Sequence, residues 1–313
     1  MITGAAGFIG SCLTGYLNRK GYQNIIIVDD FEEDSRRHNY DEKKICARVD
    51  KDELFDWLDR YKIRIDFVFH IGTFTGSDAE QLHQLNMIYS QNLWNYCIVK
   101  NIPFVYVSSA DSYVSGELGF KEDHELPGKL NSSTTAAAAK NEFDKWALQQ
   151  EKQPSFWAGL KLFAIYGPNE YHKGGNASLI FQAFHQAKTT GKINVDRLGT
   201  GDISSQDFVY VKDVVDICYW FMQKSAEKNS PVSGLYNIGT GKARSLQDVA
   251  NAVSRYVEKP AVVKESNAAE KHTLIGQADI SKLRQAGYSR DFYSLEEGVK
   301  TYLQHFLNEG KYY

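Results

Sequence analysis

The first half of the chain alternates short apolar runs with segments whose apolar residues recur at helical spacing. The apolar runs cover 24–30, 65–72, 103–110 and 156–168, and the helical patterns cover 11–20, 52–61, 82–100 and 136–150. Near-continuous apolar strands that alternate with amphipathic helices are typical of a parallel sheet covered on both faces. We therefore predict a doubly wound α/β fold with ligands at the carboxyl ends of its strands.

The pattern changes after residue 168. Polar, glycine-rich segments at 169–178 and 196–206 indicate loops, and further helical patterns follow at 179–189, 211–224, 245–257 and 295–307. We predict a first domain over 1–167. The remainder, 168–313, is predicted to form mainly a smaller, discontinuous substrate-binding lobe, with some segments returning to the first domain.

The composition excludes several classes of protein. A net charge of −3 over 313 residues gives no indication of a nucleic-acid or anionic-membrane partner. The four cysteines are far apart and form no CxxC pair, so neither a disulfide scaffold nor a zinc site is expected. Because no secretory leader and no long apolar run is present, we expect a cytoplasmic protein in a reducing compartment. Since the first glycine is already residue 4, we also expect a few residues to precede Met1.

A glycine motif opens the chain, with Gly4, Gly7 and Gly10 spaced three residues apart ahead of the first helix. Glycines permit a tight turn and a close approach of backbone N–H groups to a pyrophosphate, which the helix N-terminus also attracts. Asp29 and Asp30 end the next strand, roughly 20 residues on, where a ribose-binding acid belongs. The motif predicts a Rossmann-type dinucleotide-binding domain.

The residues after that strand leave the choice of cofactor open. Asp29 and Asp30 favour NAD, because a carboxylate binds the ribose 2′-hydroxyl and repels a 2′-phosphate. Arg36 and Arg37 follow shortly, and an arginine can accept the phosphate of NADP.

Several further segments point to a family. The glycine motif, YVSSADSY and LFAIYGPNEYHKG together resemble the extended short-chain dehydrogenase/reductase superfamily and, within it, the ADP-glycero-manno-heptose 6-epimerases. The resemblance covers nearly the whole chain and includes VDDF, FVFHIG, DFVYVKDVVD, YNIGTGKARS and QADISKLRQAGY. NEYHKG followed by DFVYVKDV is the feature most particular to the heptose epimerases.

The resemblance implies an isomerase that oxidises its nucleotide sugar to a transient ketone with bound NADP and returns the hydride to the other face. The product is the C6 epimer of an ADP-heptose used as a lipopolysaccharide precursor. A homo-oligomer is also implied. Ser109, Lys140 and Lys173 match the family's catalytic serine and two lysines.

Other site residues are carried over from the same resemblance. Those implied for the cofactor are Gly4, Gly7, Phe8, Ile9, Gly10, Asp29, Asp30, Arg36, Lys51, Ile71, Gly72, Thr73, Phe74, Thr75, Asn86, Lys140, Ile165 and Lys173. Those implied for the substrate are Ser109, Ala164, Gly175, Gln182, Gln206 and His272. No metal site is implied.

One position departs from the family in a way that bears on activity. The family tyrosine would lie four residues before Lys140, on the same helix face, and here that residue is Ala136. A methyl group cannot transfer a proton, and losing a general acid/base costs about 10²–10⁴-fold in rate. Tyr113, four residues after Ser109, is the nearest alternative phenol, but we interpret it as a packing residue.

The substrate positions depart as well. Ala164, Gln182, Gln206 and His272 stand where the family has asparagine, histidine, arginine and tyrosine. Two origins fit this pattern: a divergent or altered protein that keeps the fold, or alanines standing in for unassigned side chains. Three functions stay open: a heptose epimerase, a non-enzymatic NAD(P)-binding protein of the same fold, and another nucleotide-sugar dehydratase or reductase.

Overall fold

The computed structural model describes most of the chain. The described residues are 1–74, 76, 78–113, 120–122, 135–195, 198, 203–227, 232–258, 260–264 and 274–313. Two residues implied for the site, Thr75 and His272, lie outside them.

Each of the four predicted apolar runs contains at least one strand, and the other strands of the described residues lie outside these runs. In chain order the strands are β1 (Ile2–Thr3), β2 (Ile26–Asp29), β3 (Ala47–Asp50), β4 (Val68–His70), β5 (Phe104–Ser109), β6 (Trp157–Leu162), β7 (Ala164–Tyr166), β8 (Lys192–Asn194), β9 (Ile203–Gln206), β10 (Phe208–Tyr210), β11 (Gly234–Ile238), β12 (Arg244–Ser245), β13 (Val262–Lys264) and β14 (Leu274–Gly276).

Seven of these strands form one parallel sheet in the order β3-β2-β1-β4-β5-β6-β11. The strand order reverses between β1 and β4, and in open α/β sheets ligands bind in the crevice outside such a switch point. The predicted Rossmann-type fold is therefore confirmed. β11 comes from the second half of the chain and extends the sheet beside β6.

The α-helices of the described residues cover both faces of the sheet. They are α1 (Phe8–Arg19), α2 (Leu54–Tyr61), α3 (Ala79–His83), α4 (Tyr89–Lys100), α5 (Thr135–Gln149), α6 (Leu179–Thr190), α7 (Val211–Lys224), α8 (Leu246–Ser254), α9 (Ser281–Gln285) and α10 (Leu295–Tyr302). In this described part of the chain, no helix combines the length and apolarity that crossing a bilayer requires.

Alternate strand residues enter two separate cores. Phe69 and Val105 pack into the core that also contains residues of α1, α6 and α7. Their neighbours Val68 and Phe104 pack into the opposite core, with residues of α2, α4 and α5. Because successive side chains of a strand point to opposite faces, a sheet buried on both faces needs nearly continuous apolar strands.

The run at 156–168 differs from its prediction as one strand. β6 ends at Leu162 in the main sheet, and β7 pairs with β10 in a separate two-stranded sheet. The chain changes from one sheet to the other between Phe163 and Ala164. The Phe163 N–H donates to the Ile238 carbonyl in β11, and the Ala164 N–H donates to the Asp207 carbonyl just before β10. The apolar pattern is continuous because β6 is buried throughout and the partly exposed Ala164 and Ile165 of β7 pack against the core.

Candidate active site

The glycine motif forms a turn between β1 and α1 that packs directly on the loop after β4. Gly4 has a φ of +69°, and a Cβ on it would lie 2.4 Å from the Gly72 Cα. A Cβ on Gly10 would lie 2.1 Å from the Gly4 carbonyl oxygen. Gly7 precedes α1, and no side chain of the described residues caps that helix. The first-turn N–H groups are therefore available to an anion, which fits a dinucleotide pyrophosphate.

Asp29 organises this turn at the end of β2. One carboxylate oxygen accepts a 2.9 Å hydrogen bond from the Ala6 N–H, and the other accepts from the Asp30 N–H and, at 2.9 Å, from Arg36. Burial raises the pKa of Asp29, while the Arg36 guanidinium and these hydrogen bonds oppose the rise. Lys51, from the end of β3, lies 3.9 Å from Asp30. Asp29 and Asp30 thus lie at one end of the sheet with Arg36 and Lys51, two of the four basic residues implied for the cofactor.

Asn86 holds the loop that follows β4. Its side-chain amide accepts a hydrogen bond from the Phe74 N–H and donates one to the Phe74 carbonyl, each at 2.8 Å. Asn86 lies in a π-helical turn, Gln84–Ile88, that joins α3 to α4, and such turns are frequent at functional sites. Both of these hydrogen bonds position the loop Ile71–Phe74 beside the glycine turn.

His70, which the sequence did not single out, connects three elements beneath this loop. Its Nδ1 lies 2.6 Å from Thr3 Oγ1 and its Nε2 lies 2.8 Å from Ser90 Oγ. Burial, with the nearby charge of Lys140, lowers the pKa of His70 to about 3, so the ring is neutral at pH 7. The sequence could have indicated this role through the histidine in the short apolar strand β4, because a buried polar group needs hydrogen-bond partners.

Ser109 and Lys140 reach the same region from β5 and α5. The Ser109 hydroxyl donates to Asp111 Oδ2 at 3.1 Å. Lys140 lines a small cavity with Gly72, Asn86 and Val107. Burial lowers the pKa of Lys140 to about 8, and the charges of Asp144 and Asp111 oppose this effect. The two residues therefore lie at the carboxyl ends of the strands nearest the switch point.

The helix around Ala136 forms as expected for an alanine-rich segment, with Ala136 partly exposed one turn before Lys140 in α5. Tyr113 does not replace the missing phenol. It is 2% exposed, and its hydroxyl donates to Asn237 Oδ1 at 2.8 Å. Burial raises its pKa far above the ordinary value, so we retain its interpretation as a packing residue.

A buried ion pair beneath the site was missed by sequence reasoning. Asp144 and Lys161 are 0% and 1% exposed in their side chains and 2.7 Å apart. Asp144 also accepts hydrogen bonds from the hydroxyls of Tyr106 and Ser108, while Lys161 donates to Ser112. A lysine within a six-residue apolar strand was the signal, because a buried charge needs a partner.

Glu170 and Gln182 fix the loop that carries Lys173. Glu170 accepts hydrogen bonds from the Ser178 N–H at 2.6 Å and the Ser178 hydroxyl at 2.7 Å. Gln182 donates to the carbonyls of Gly175, at 3.2 Å, and Ala177, at 2.9 Å. Lys173 then lies with its Nζ 5.3 Å from the centre of the Phe8 ring, at the start of α1.

The other implied substrate positions lie on the strands of the C-terminal half. Ala164 and its neighbour Ile165, which is implied for the cofactor, are partly exposed in β7, where they pair with Phe208 and Val209 of β10. Gln206, also partly exposed, ends β9 and pairs with Arg244 of β12.

Comparison with known proteins assigns the chain to a family. The family model described as "NAD dependent epimerase/dehydratase family" matches residues 1–239. The chain belongs to this family. Its description names a nicotinamide dinucleotide, the kind of group that the glycine turn fits.

Two relatives of this chain carry the same enzyme name. The chain is 40% identical to the ADP-L-glycero-D-manno-heptose-6-epimerase of Fusobacterium nucleatum, over 98% of this chain and 97% of that one. It is 33% identical to the enzyme of that name from Nitratidesulfovibrio vulgaris, with the same coverage of each chain. The fold is similar to the crystal structure of Helicobacter pylori ADP-L-glycero-D-manno-heptose-6-epimerase, with a TM-score of 0.78, 24% identity and coverage of 97% and 94%.

Proposed function

We propose that this member of the family is a nucleotide-sugar epimerase that inverts C6 of an ADP-glycero-manno-heptose with bound NADP. The observation that carries the proposal is that Lys140 lines a cavity with Gly72, on which the Gly4 turn packs, while Ser109 ends the neighbouring strand β5. The names of the relatives supply the sugar. We further propose a cytoplasmic homo-oligomer in which the C-terminal segments bind the sugar.

The proposed roles follow from the chemistry of each side chain. The Ser109 hydroxyl hydrogen-bonds the reacting oxygen of the sugar. Lys140, with its pKa lowered to about 8, is mostly protonated at pH 7 and holds the nicotinamide ribose through its ammonium group. Lys173 provides a second positive charge, next to Phe8 at the start of α1. A bound nicotinamide supplies the hydride acceptor and donor, so the overall reaction consumes no oxidant.

The residue that supports NADP as the cofactor is Arg36. Arg36 is held by Asp29 and by Glu33, each 2.9 Å away, and only 17% of its side chain is exposed. This pairing partly neutralises the acid that would repel a 2′-phosphate and pre-organises a planar donor for it. Lys51 adds a second positive charge near Asp30.

Arg36→Ala is expected to weaken NADP binding about 10–100-fold, because a hydrogen bond to a charged group contributes about 1.5–3 kcal/mol. NAD binding should change much less. Arg37→Ala is the matched control, since Arg37 is 63% exposed and pairs with Asp41. Calorimetric titration of both cofactors measures the effect. Equal losses for NADP and NAD would show that Arg36 acts only through Asp29.

The epimerase proposal predicts slow interconversion of the two C6 epimers of ADP-glycero-manno-heptose by purified protein saturated with NADP. Proton NMR of the heptose follows the reaction, and Lys140→Met is the inactive control. NADP binding without any interconversion would contradict the proposal and favour a cofactor-binding protein without catalysis. Loss of water or net reduction of the sugar would instead favour a dehydratase or reductase.

A further inference from the structure

Oxidising an alcohol releases a proton as well as a hydride, and the family residue that would take this proton is absent. Ala136 has no titratable group. The Tyr113 hydroxyl is buried and donates to Asn237. If the proposed function holds, another group in this site must accept and return the proton.

Asp111 is placed to do this. It lies in the 3₁₀ turn Ala110–Tyr113 directly after β5. Asp111 is exposed, whereas Asp144 is fully buried. Its Oδ2 accepts a 3.1 Å hydrogen bond from the Ser109 hydroxyl. Its own N–H donates to the same hydroxyl oxygen at 3.1 Å. The turn thus holds a carboxylate against the hydroxyl that we place on the reacting sugar oxygen.

The other carboxylate near Lys140 cannot take this role. Asp144 accepts hydrogen bonds at both oxygens, from Tyr106, Ser108 and Lys161, and no path leads from it to the site surface. Asp111, by contrast, is exposed, and its charge acts on Lys140. Ser109, Asp111 and Lys140 therefore form one interacting group.

We propose that Asp111 is the proton acceptor and donor of this chain, acting through the Ser109 hydroxyl in place of the missing phenol. A bound nicotinamide would supply the hydride acceptor for the sugar C–H. The sugar O–H gives its proton to Ser109 Oγ as Ser109 gives its own to Asp111 Oδ2, which leaves a ketone. The reverse transfers, with the hydride delivered to the opposite face, restore the alcohol, the carboxylate and the cofactor. This inference rests on the proposed epimerase function.

The decisive experiment compares Asp111→Asn in two backgrounds. Asparagine keeps an oxygen that accepts the Ser109 hydrogen bond but cannot take a proton. In the natural chain we expect kcat to fall about 10²-fold or more, with KM nearly unchanged, and Asp111→Glu to retain most of the activity. In the Ala136→Tyr background the same Asp111→Asn change should have little effect, because the phenol takes over. Asp66→Asn, an exposed residue paired with Arg64, is the control.

A second readout needs no cofactor or substrate. Because the Asp111 charge raises the pKa of Lys140, Asp111→Asn should lower that pKa and Asp111→Glu should not. NMR titration of isotopically labelled lysines in the cofactor-free protein measures the difference. An unchanged Lys140 pKa would overturn the placement of Asp111 at the site.

The outcomes separate this inference from the proposed function. Equal loss of kcat in both backgrounds would mean that Asp111 only positions Ser109, and it would overturn the inference. An active Ala136→Tyr variant beside a wholly inactive natural chain would also overturn it while supporting the epimerase. If the natural chain and the Ala136→Tyr variant are both inactive on ADP-heptose, the proposed function itself fails, and the inference fails with it.

Discussion

Replacing Ala136 with tyrosine in the Asp111→Asn background is expected to raise kcat for ADP-heptose epimerisation about 10²–10⁴-fold, the usual contribution of a well-placed general acid/base. Ala136 lies one turn before Lys140 in α5, so a phenol there shares a helix face with the lysine. The lysine charge stabilises the phenolate and lowers the tyrosine pKa. The helix should tolerate the change, because tyrosine costs at most about 0.7 kcal/mol of helix propensity relative to alanine.

Ala138→Tyr is the matched control for this prediction. Ala138 is also partly exposed in α5. It lies two positions before Lys140, so it does not share a helix face with that lysine. Initial rates at pH 7 compare the three proteins. The gain should shrink as the pH rises through about 8, where Lys140 loses its charge. Equal rates for both tyrosine variants would show that position 136 has no special relation to the chemistry.

Asp144→Asn is expected to destabilise the fold by about 3–5 kcal/mol, because it leaves the Lys161 ammonium buried without its counter-ion. Lys161 is 1% exposed and lies 2.7 Å from Asp144. The change also weakens the hydrogen bonds that Tyr106 and Ser108 donate to the carboxylate. The free energy of unfolding in urea measures the loss.

An exposed ion pair provides the comparison. Arg64 and Asp66 are 90% and 75% exposed, so Asp66→Asn should cost no more than about 1 kcal/mol. Adding Lys161→Met to Asp144→Asn should recover much of the stability, since both charges are then gone. A loss for Asp144→Asn as small as that for Asp66→Asn would show that water reaches the buried pair.

Much of the fold could be predicted because it depends on periodic patterns. Apolar runs that are buried on both faces indicated the parallel strands, and the glycine spacing indicated the turn between β1 and α1. The division of the run at 156–168 could not be predicted, since two successive apolar strands in different sheets give one continuous apolar run.

The site was predictable only in part. Ser109 and Lys140 could be identified because they match residues of a known family. The partners of these residues could not be predicted from spacing, since Asp144 on α5 and Lys161 on β6 become neighbours only when the helix packs on the sheet. Packing also brings Gln182 to the carbonyls of Gly175 and Ala177. It likewise brings Asn86 to the Phe74 N–H.

The sequence alone determined the class of fold, the position of the dinucleotide turn and the absence of a phenol at position 136. These properties depend on residue type and on short-range spacing, which the chain carries before it folds. Only the tertiary structure decided that the Tyr113 hydroxyl bonds to Asn237 and that Asp144 pairs with Lys161. Such assignments depend on which distant side chains meet in the buried core, because each buried polar group must find a partner there.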